Sequence, residues 1–592
     1  YEKELKQMDR FFNHQSEENV KNLPPYEKPT GFKEETELYP HQQDGVRWLI
    51  NQEKKPRPNP FQRERTLKDG TVAIYDVLDN SRLPARRPPA NGAILADDMG
   101  LGKTVQALGL ILSNPPPPVP NGTPNSICTL VVCPKTVIPT WQREIEKFVK
   151  PGFLRTHVFE GTPNQRSKII EKVRGNQVDL LLVPYSRVAR EAGDTHRGEV
   201  RHYNGYGHPL LDLFDVSFYR IILDEAQEIR TGTTKKHKGV LEIAKKARHR
   251  VALTGTPLIN SPLDIQALLS FVGMAPWDDK ALFNRYIAKP IADRKRSGLM
   301  KLRTALTYVS FRRTKAAVKD LALVKKTVEV VSHTFIEGSF HQQVHDYWLD
   351  ETKKAYQESE QTKEVVQRRF AMQMKLRQAC DSGALVVPEE MKEMAAKSAA
   401  MEPKIYGLFQ GIDQMKRDEK GIIFSQFKGF LDIVEKELVN RHYKVVRLDG
   451  SMNIEARVEA MKALEEDPDV RFILCSLKVG GFGINLTRAN VVFLMDSWWN
   501  AATEAQAVDR CHRLGQDRPV RVYRFVMKDS IEEKMVYHIQ EAKTKLGKGA
   551  MAHLTAEELK LAKIMTLKDF FGVDADADGE YGEEDDDDGD WV

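Results

Sequence analysis

The chain has 592 residues, 41% of them hydrophobic and 29% charged, and a formal net charge of +5. That length exceeds what one hydrophobic core usually organises, so at least two domains are expected, and no apolar run approaches the roughly 20 residues that cross a bilayer, which argues against a membrane protein. Its five cysteines, Cys128, Cys133, Cys380, Cys475 and Cys511, stand far apart with no CxxC pair, which argues against a zinc module or a disulfide scaffold and for a reducing, intracellular setting.

Residues 1–34 read as a polar lead-in that opens on YEKELKQMDRFF, without the charged-then-apolar pattern of a signal segment. The start at Tyr1 rather than Met leaves room for a longer parent protein. A first α/β domain is expected over 35–270. It begins with ELYPHQQDGVRWLI, where Val46, Leu49 and Ile50 recur at helical spacing. From about 54 to 91 the composition turns to Pro, Arg, Asn and Asp, which predicts an extended insertion with one hairpin that interrupts the domain rather than ending it. Short apolar runs then alternate with helical patterns: GAILA and VQALGLIL, TLVVC and TWQREIEKF, followed by DLLLV, FYRIILD and HRVALTG. That alternation is the signature of βαβ units on a parallel sheet.

Residues 271–403 are charged and helical in pattern and are expected to form helical insertions between two lobes. A second series, IIFSQ, YKVVRLDG, RFILCS, NVVFLMD and VRVYRFV, predicts a second α/β lobe over 404–550. A helical extension is expected over 551–573 and an acidic, disordered tail over 574–592. The tail holds 11 acidic residues and no basic one, so the remaining 73 acidic side chains face 89 Lys and Arg and leave a body of charge +16. A body this basic attracts a polyanion such as nucleic acid, and the tail could compete for the same surface; solubility is the other use of both features.

The segment AILADDMGLGKTVQALGLIL sets Gly100, Gly102, Lys103 and Thr104 between an apolar strand and an amphipathic helix, the context a phosphate loop requires. Glycines let backbone N–H groups close on phosphate oxygens, and the helix presents its positive end. The lysine neutralises charge on the β- and γ-phosphates, and the threonine hydroxyl can ligate Mg2+. Asp97 stands where the GxxxxGK[ST] pattern begins with glycine. Downstream, RIILDEAQ ends an apolar strand in two adjacent carboxylates, where open α/β sheets place ligands. Asp224 is the candidate metal ligand, and Glu225 the candidate to orient or deprotonate an attacking water.

Together these blocks, in order from Tyr39 to Gln516, resemble the superfamily 2 helicase-like ATPases of the SWI/SNF chromatin-remodelling type. LYPHQQDGVRWL is similar to the adenine-reading block and puts its base-contacting glutamine at Gln42. DDMGLGKT is close to the family's own phosphate loop, which also lacks the first glycine. VVCPKTVIPTWQREIEKF, the acidic box DEAQ and the coupling block VALTGTPLIN, with Thr254, Gly255 and Thr256, follow in family order. In the second lobe IIFSQF, RLDGSMNIEAR, LKVGGFGINLT and QAVDRCHRLGQ match, and Gly483 is counted among the nucleotide-binding residues. The resemblance implies two RecA-like parallel-sheet lobes with helical insertions between them, ATP with Mg2+ held by Thr104 and Asp224, and hydrolysis in the cleft. Arg510 and Arg513 fall three apart, so on a helix both would point at nucleotide on the other lobe as arginine fingers.

The same resemblance implies double-stranded DNA as the partner, with nucleosomes or other DNA-bound proteins as targets, a nuclear location, and neither zinc nor membrane. Phosphate contacts carry little pattern; Lys135, Gln426, Lys478 and Trp499 are the DNA-contact candidates. In SWWN, Trp499 stands where family members set an aromatic ring against DNA, packing within the core or between lobes being the alternative. Gln227 replaces a histidine common in the family and Ala501 a proline. The insertion ahead of the phosphate loop and LRQAC resemble the post-replication-repair and helicase-like transcription factor group, many of which carry a RING zinc domain between the lobes. Residues 381–403 are too short for one and contain no cysteine or histidine, so ubiquitin ligase activity is not expected. The alternatives are an RNA-dependent helicase, a nucleotide-dependent DNA-binding scaffold with weak ATPase, and the motor part of a larger DNA repair or DNA-modifying protein.

Overall fold

The computed structural model describes residues 16–118, 126–196, 210–255, 262–293, 295–315, 317–318, 324–357, 363–397, 402–477, 486–498, 501–513 and 515–534. The expected extension 551–573 and tail 574–592 lie outside the described residues. Two parallel sheets organise the rest.

The first sheet has seven strands: β4 (Gly92–Leu95), β5 (Thr129–Cys133), β6 (Thr156–Val158), β7 (Leu180–Pro184), β8 (Arg220–Asp224), β9 (His249–Leu253) and β10 (Ser310–Phe311), in the order β10-β4-β9-β8-β5-β7-β6. Every pairing is parallel. Successive side chains of a strand alternate between faces, and here both faces are covered. Ile221 and Leu223 of β8 enter one core while Ile222 enters the other; Leu130 and Val132 of β5 are likewise parted from Val131 and Cys133. This is why these strands read as unbroken apolar runs instead of alternating ones. Helix α1 (Pro40–Lys54) is fastened to this lobe by Glu53, which accepts two 2.6 Å hydrogen bonds from buried Arg220 at the start of β8.

The insertion forms a small antiparallel meander of β1 (Gln62–Thr66), β2 (Val72–Asp76) and β3 (Arg82–Leu83), one strand more than a single hairpin. It leaves the parallel sheet uninterrupted.

Residues 271–403, expected as helical insertions between the lobes, are divided between them. Helices Lys280–Phe283, Lys289–Ala292 and Arg296–Val309 bury Phe283, Leu299, Leu302 and Leu306 in the first lobe's core, and β10 then joins β4 at the edge of that sheet. Past the crossover, β11 (Lys326–His333) pairs in parallel with a strand almost 200 residues away, β16 (Val520–Met527). Both strands escape local pattern reading for physical reasons. A two-residue strand has no period, and the alternation in KTVEVVSH belongs to an exposed edge strand. Two long helices, Phe340–Gln357 and Lys363–Asp381, pack on each other through Val344, Trp348, Leu376 and Ala379 and rest on Met527 and Ile531.

The second sheet adds β12 (Gly421–Ser425), β13 (Lys444–Leu448), β14 (Val470–Ser476) and β15 (Val491–Leu494) in the order β11-β16-β15-β12-β14-β13, all parallel. Its faces are also both buried, Ile422 and Phe424 on one side and Ile423 on the other. All five cysteines are buried thiols. Among the described residues no helix is long and apolar enough to cross a membrane.

Candidate active site

Because β9 lies between β4 and β8, the loops leaving the carboxyl ends of these three strands converge although more than 120 residues separate β4 from β8. The loop after β4 turns through Gly100 and Gly102, at φ +83° and +80°, a left-handed geometry that glycine adopts without steric cost. Lys103 opens helix α2 (Lys103–Ser113), and Thr104 follows in its first turn. The Lys103 ammonium folds back over its own loop, donating to the carbonyls of Asp97 (2.8 Å) and Asp98 (3.3 Å). Burial lowers its pKa below the ordinary lysine value, against the opposing pull of Glu225, Asp97, Asp224 and Asp98.

Asp97, in the place of the missing glycine, is completely buried. It is satisfied by Arg313, whose backbone N and Nε reach Oδ1 at 3.0 and 3.1 Å and whose Nη2 reaches Oδ2 at 2.5 Å. Gln42 also lies on this loop. Its amide nitrogen donates to Leu101 O (3.3 Å) and its amide oxygen accepts from Tyr39 N (3.1 Å), capping helix α1.

At the end of β8, Asp224 receives hydrogen bonds from Trp141 Nε1 (2.8 Å) and Glu225 N (2.9 Å), and its carbonyl accepts from Tyr185 Oη (3.0 Å). Burial and the neighbouring Glu225 raise its pKa to about 6, with Trp141 and Lys103 pulling the other way. A buried carboxylate under-compensated in this way, with a second carboxylate beside it, suits a cation, and a hard divalent ion such as Mg2+ fits its oxygen donors. Glu225 adopts a left-handed φ of +50°, a strained conformation for a side chain with a Cβ, costing about 1–3 kcal/mol. Its Oε2 accepts from Gln227 Nε2 (2.8 Å), and Gln227 Oε1 accepts in turn from Thr254 Oγ1 (2.9 Å). Gln227 thus bridges the acidic box and the block after β9; Thr256 lies outside the described residues.

The second lobe closes on this edge through Arg510, whose Nη2 is 3.8 Å from Glu225 Oε1. Arg513 sits against the phosphate loop, where a methyl group at Gly100 would come within 2.9 Å of its Cβ. Burial lowers both guanidinium pKa values, and for Arg513 the nearby Arg510 adds to the effect and brings it to about 10. The expectation that both arginines ride on a helix is corrected. The helix ends at Val508, and Arg510 and Arg513 lie in the turns beyond it. Past Val508 the amides of Arg510 and Cys511 donate only three residues back, to Ala507 O (3.2 Å) and Val508 O (3.1 Å), and the turns are held by Leu486 N on Arg510 O (3.0 Å) and Gln516 Nε2 on Cys511 O (3.1 Å).

Lys103, Asp224, Glu225, Arg510 and Arg513 therefore share one cleft, with Gln42, Gly100, Gly102 and Thr104 around the same loop. Of the DNA-contact candidates, the two within the described residues stand apart from this cleft. Lys135 follows β5, exposed, 3.5 Å from Glu160 Oε1. Gln426 follows β12 and donates to both oxygens of Asp496, from N at 3.0 Å and from Nε2 at 3.1 Å. Lys478, Gly483 and Trp499 lie outside the described residues. The site also contains residues that pattern reading did not select: Trp141, Tyr185, Arg313 and Lys315. For the last two, the run RRTK straight after Phe311, within a segment read as helical, was the available signal.

The SNF2-related domain family matches residues 41–385, and the helicase conserved C-terminal domain matches residues 403–515. The DNA repair protein RAD5 of Gibberella zeae is 27% identical over 82% of this chain, and the match spans 56% of that protein's length. An Arabidopsis thaliana protein described as a putative SWI/SNF-related matrix-associated actin-dependent regulator of chromatin, subfamily A member 3-like 1, is 25% identical over 87% of this chain and 72% of its own length. A solved Sulfolobus solfataricus SWI2/SNF2 ATPase core in complex with dsDNA is 24% identical, covering 93% of this chain and 100% of its own, at a TM-score of 0.38. With one family match running over more than half of its 592 residues, the chain belongs to the SNF2-related family, the SWI/SNF type of superfamily 2 helicase-like proteins, alongside its RAD5-group relatives.

Proposed function

We propose that this chain hydrolyses ATP in the cleft between its lobes and uses the cycle to translocate on double-stranded DNA, remodelling chromatin or other DNA–protein complexes in the nucleus. The observation that carries the reading is the approach of Arg510 on one lobe to Glu225 on the other, 3.8 Å apart at the edge where the phosphate loop also opens. In this account the triphosphate takes over the Lys103 ammonium from the carbonyls of Asp97 and Asp98, while Gln42 and Gly483 hold the rest of the nucleotide. Asp224 and Thr104 would hold Mg2+, which when bound neutralises charge on the phosphate oxygens.

Glu225, oriented by Gln227, aligns a water and accepts its proton as the water oxygen attacks the γ-phosphorus and the bond to the bridging oxygen breaks. Arg510 and Arg513 offset the charge that develops there, an effect worth roughly 10³–10⁵ in rate for arginine fingers. Since they belong to the second lobe, turnover is tied to closure, and each closing and opening shifts a grip on the DNA backbone. Lys135, Gln426, Lys478 and Trp499 are the proposed contacts, and the basic body supplies long-range attraction. The relatives described above, a DNA repair protein and a putative regulator of chromatin, support the assignment to DNA.

The test is steady-state ATP hydrolysis without nucleic acid and with duplex DNA, single-stranded DNA or RNA, with Lys103→Ala as control. Stimulation by duplex DNA that vanishes in the variant is expected. Preference for RNA would replace the reading with an RNA-dependent helicase, and absence of hydrolysis would leave a nucleotide-dependent clamp.

A further inference from the structure

The chain crosses from the first lobe to the second through Arg312, Arg313, Thr314 and Lys315, directly after β10. This segment is tied down on the first lobe with unusual density. Besides its three bonds to Asp97, Arg313 donates to Gln106 Oε1 of helix α2 (3.2 Å) and to the His41 carbonyl of helix α1. Lys315 continues the attachment through its backbone, whose N donates to Asp98 Oδ2 at 2.9 Å. Its main chain is thereby registered to the phosphate loop.

The Lys315 side chain faces the other way. Its Nζ donates to Asp509 Oδ1 and to His512 O, both at 2.8 Å. These acceptors flank the arginine pair: Asp509 immediately precedes Arg510, and His512 immediately precedes Arg513. The same turn is held a second time by the crossover chain, through the 2.9 Å contact of His512 Nε2 with Val324 O. One lysine therefore spans the distance between the phosphate loop and the arginine-bearing turn, with both of its ends fixed.

We propose that Lys315 is a positioning residue that sets Arg510 and Arg513 in register with the phosphate loop when the lobes close. The inference rests on the reading above that these arginines act on bound nucleotide. Neither end of Lys315 is assigned to nucleotide: the ammonium is committed to Asp509 and His512, and the amide to Asp98. Losing the Lys315–Asp509 pair should therefore leave nucleotide binding in place and misplace the guanidinium groups, slowing the chemical step. Because the two residues act through one contact, their effects should not multiply.

The experiment is a double-mutant cycle on the full chain with Lys315→Met, Asp509→Ala and the pair together. It is read by ATP affinity, by single-turnover hydrolysis on duplex DNA and by thermal unfolding, beside Arg510→Ala and Lys315→Arg. Each single variant is expected to slow hydrolysis by about 10- to 100-fold with ATP affinity kept within about twofold. The double variant should be no slower than the worse single one, and Lys315→Arg should recover part of the rate, since a guanidinium can still reach Asp509. Should Lys315→Met fail to fold, Asp509→Ala reads the same contact from the other lobe. Multiplying effects, an unchanged rate, or an ATP affinity that falls as far as the rate would each overturn the proposal. If Arg510→Ala is slow while Lys315→Met and Asp509→Ala are not, only the positioning role fails; if Arg510→Ala is unaffected, the reading beneath it fails as well.

Discussion

The two lobes are built alike and equipped differently. Both are parallel sheets, of seven and six strands, covered on both faces, with loops gathered at the carboxyl edge. At that edge the first lobe carries an ammonium on a glycine-rich turn and two adjacent carboxylates. The corresponding buried carboxylate of the second lobe, Asp496 after β15, accepts from Ser425 Oγ and from the backbone and side chain of Gln426. It ties the ends of β12 and β15 together. Below it, Lys404 is fully buried and donates to Asp381 Oδ1 (2.5 Å), Glu532 Oε1 (2.8 Å) and Met495 O (2.8 Å), and Arg377 donates to Ser497 O (2.7 Å). One architecture thus serves two ends: the first lobe gathers ionic groups around its phosphate loop, while the second uses most of its buried charge to brace loops and presents two arginines on a turn. Function lives in such sites and not in the fold that bears them.

This asymmetry can be broken from either side. The largest effect should come from Lys103→Ala, which removes the only lysine on the phosphate loop; duplex-stimulated hydrolysis should fall by about a thousandfold or more, and a residual rate near that of the parent chain would deny the first lobe its assigned part. A smaller loss is expected from Gln227→Ala. Glu225 and Thr254 would keep their positions in the chain but lose the amide that joins them, so kcat should drop by about tenfold with KM little changed, and a rise in KM alone would contradict an orienting role.

The smallest effect belongs to the second lobe. Burial raises the Asp496 pKa to about 6, above its ordinary value of 3.8, with Ser425, Lys404 and Arg377 opposing the rise. A carboxyl group whose folded pKa is raised binds its proton more tightly in the native state, so its contribution favours folding most at low pH and is lost as pH climbs through about 6. The thermal midpoint of Asp496→Asn, taken relative to the parent chain, should therefore lie about 2 °C higher at pH 7 than at pH 5. A difference that is flat across pH would show that Asp496 does not titrate in this range.

Much of this arrangement was legible in the residue order, for identifiable reasons. Strands buried on both faces leave unbroken apolar runs, and a phosphate loop has a fixed grammar of glycine, lysine and hydroxyl, so both lobes and the cluster from Gly100 to Thr104 could be read directly. Asp224 and Glu225 were legible because they end such a strand. What escaped depends on partners far along the chain. Nothing near Trp141 states that its indole meets Asp224, and nothing near Asp97 states that its carboxylate meets an arginine 216 residues later. The helical reading of Arg510 and Arg513 failed for a related reason: three-residue spacing suits a helix, but past Val508 the amides of Arg510 and Cys511 bond three residues back, and Leu486, a partner far along the chain in sequence, holds the turn.

The central claim is that the site is split, with binding groups on one lobe and charge stabilisation arriving from the other. Single-turnover hydrolysis of ATP by Arg510→Ala on duplex DNA, with ATP affinity measured on the same sample, tests it most directly. The account predicts an affinity within about twofold of the parent chain and a chemical step slowed by roughly a thousandfold. An unchanged rate, or a rate lost only in step with affinity, would contradict it.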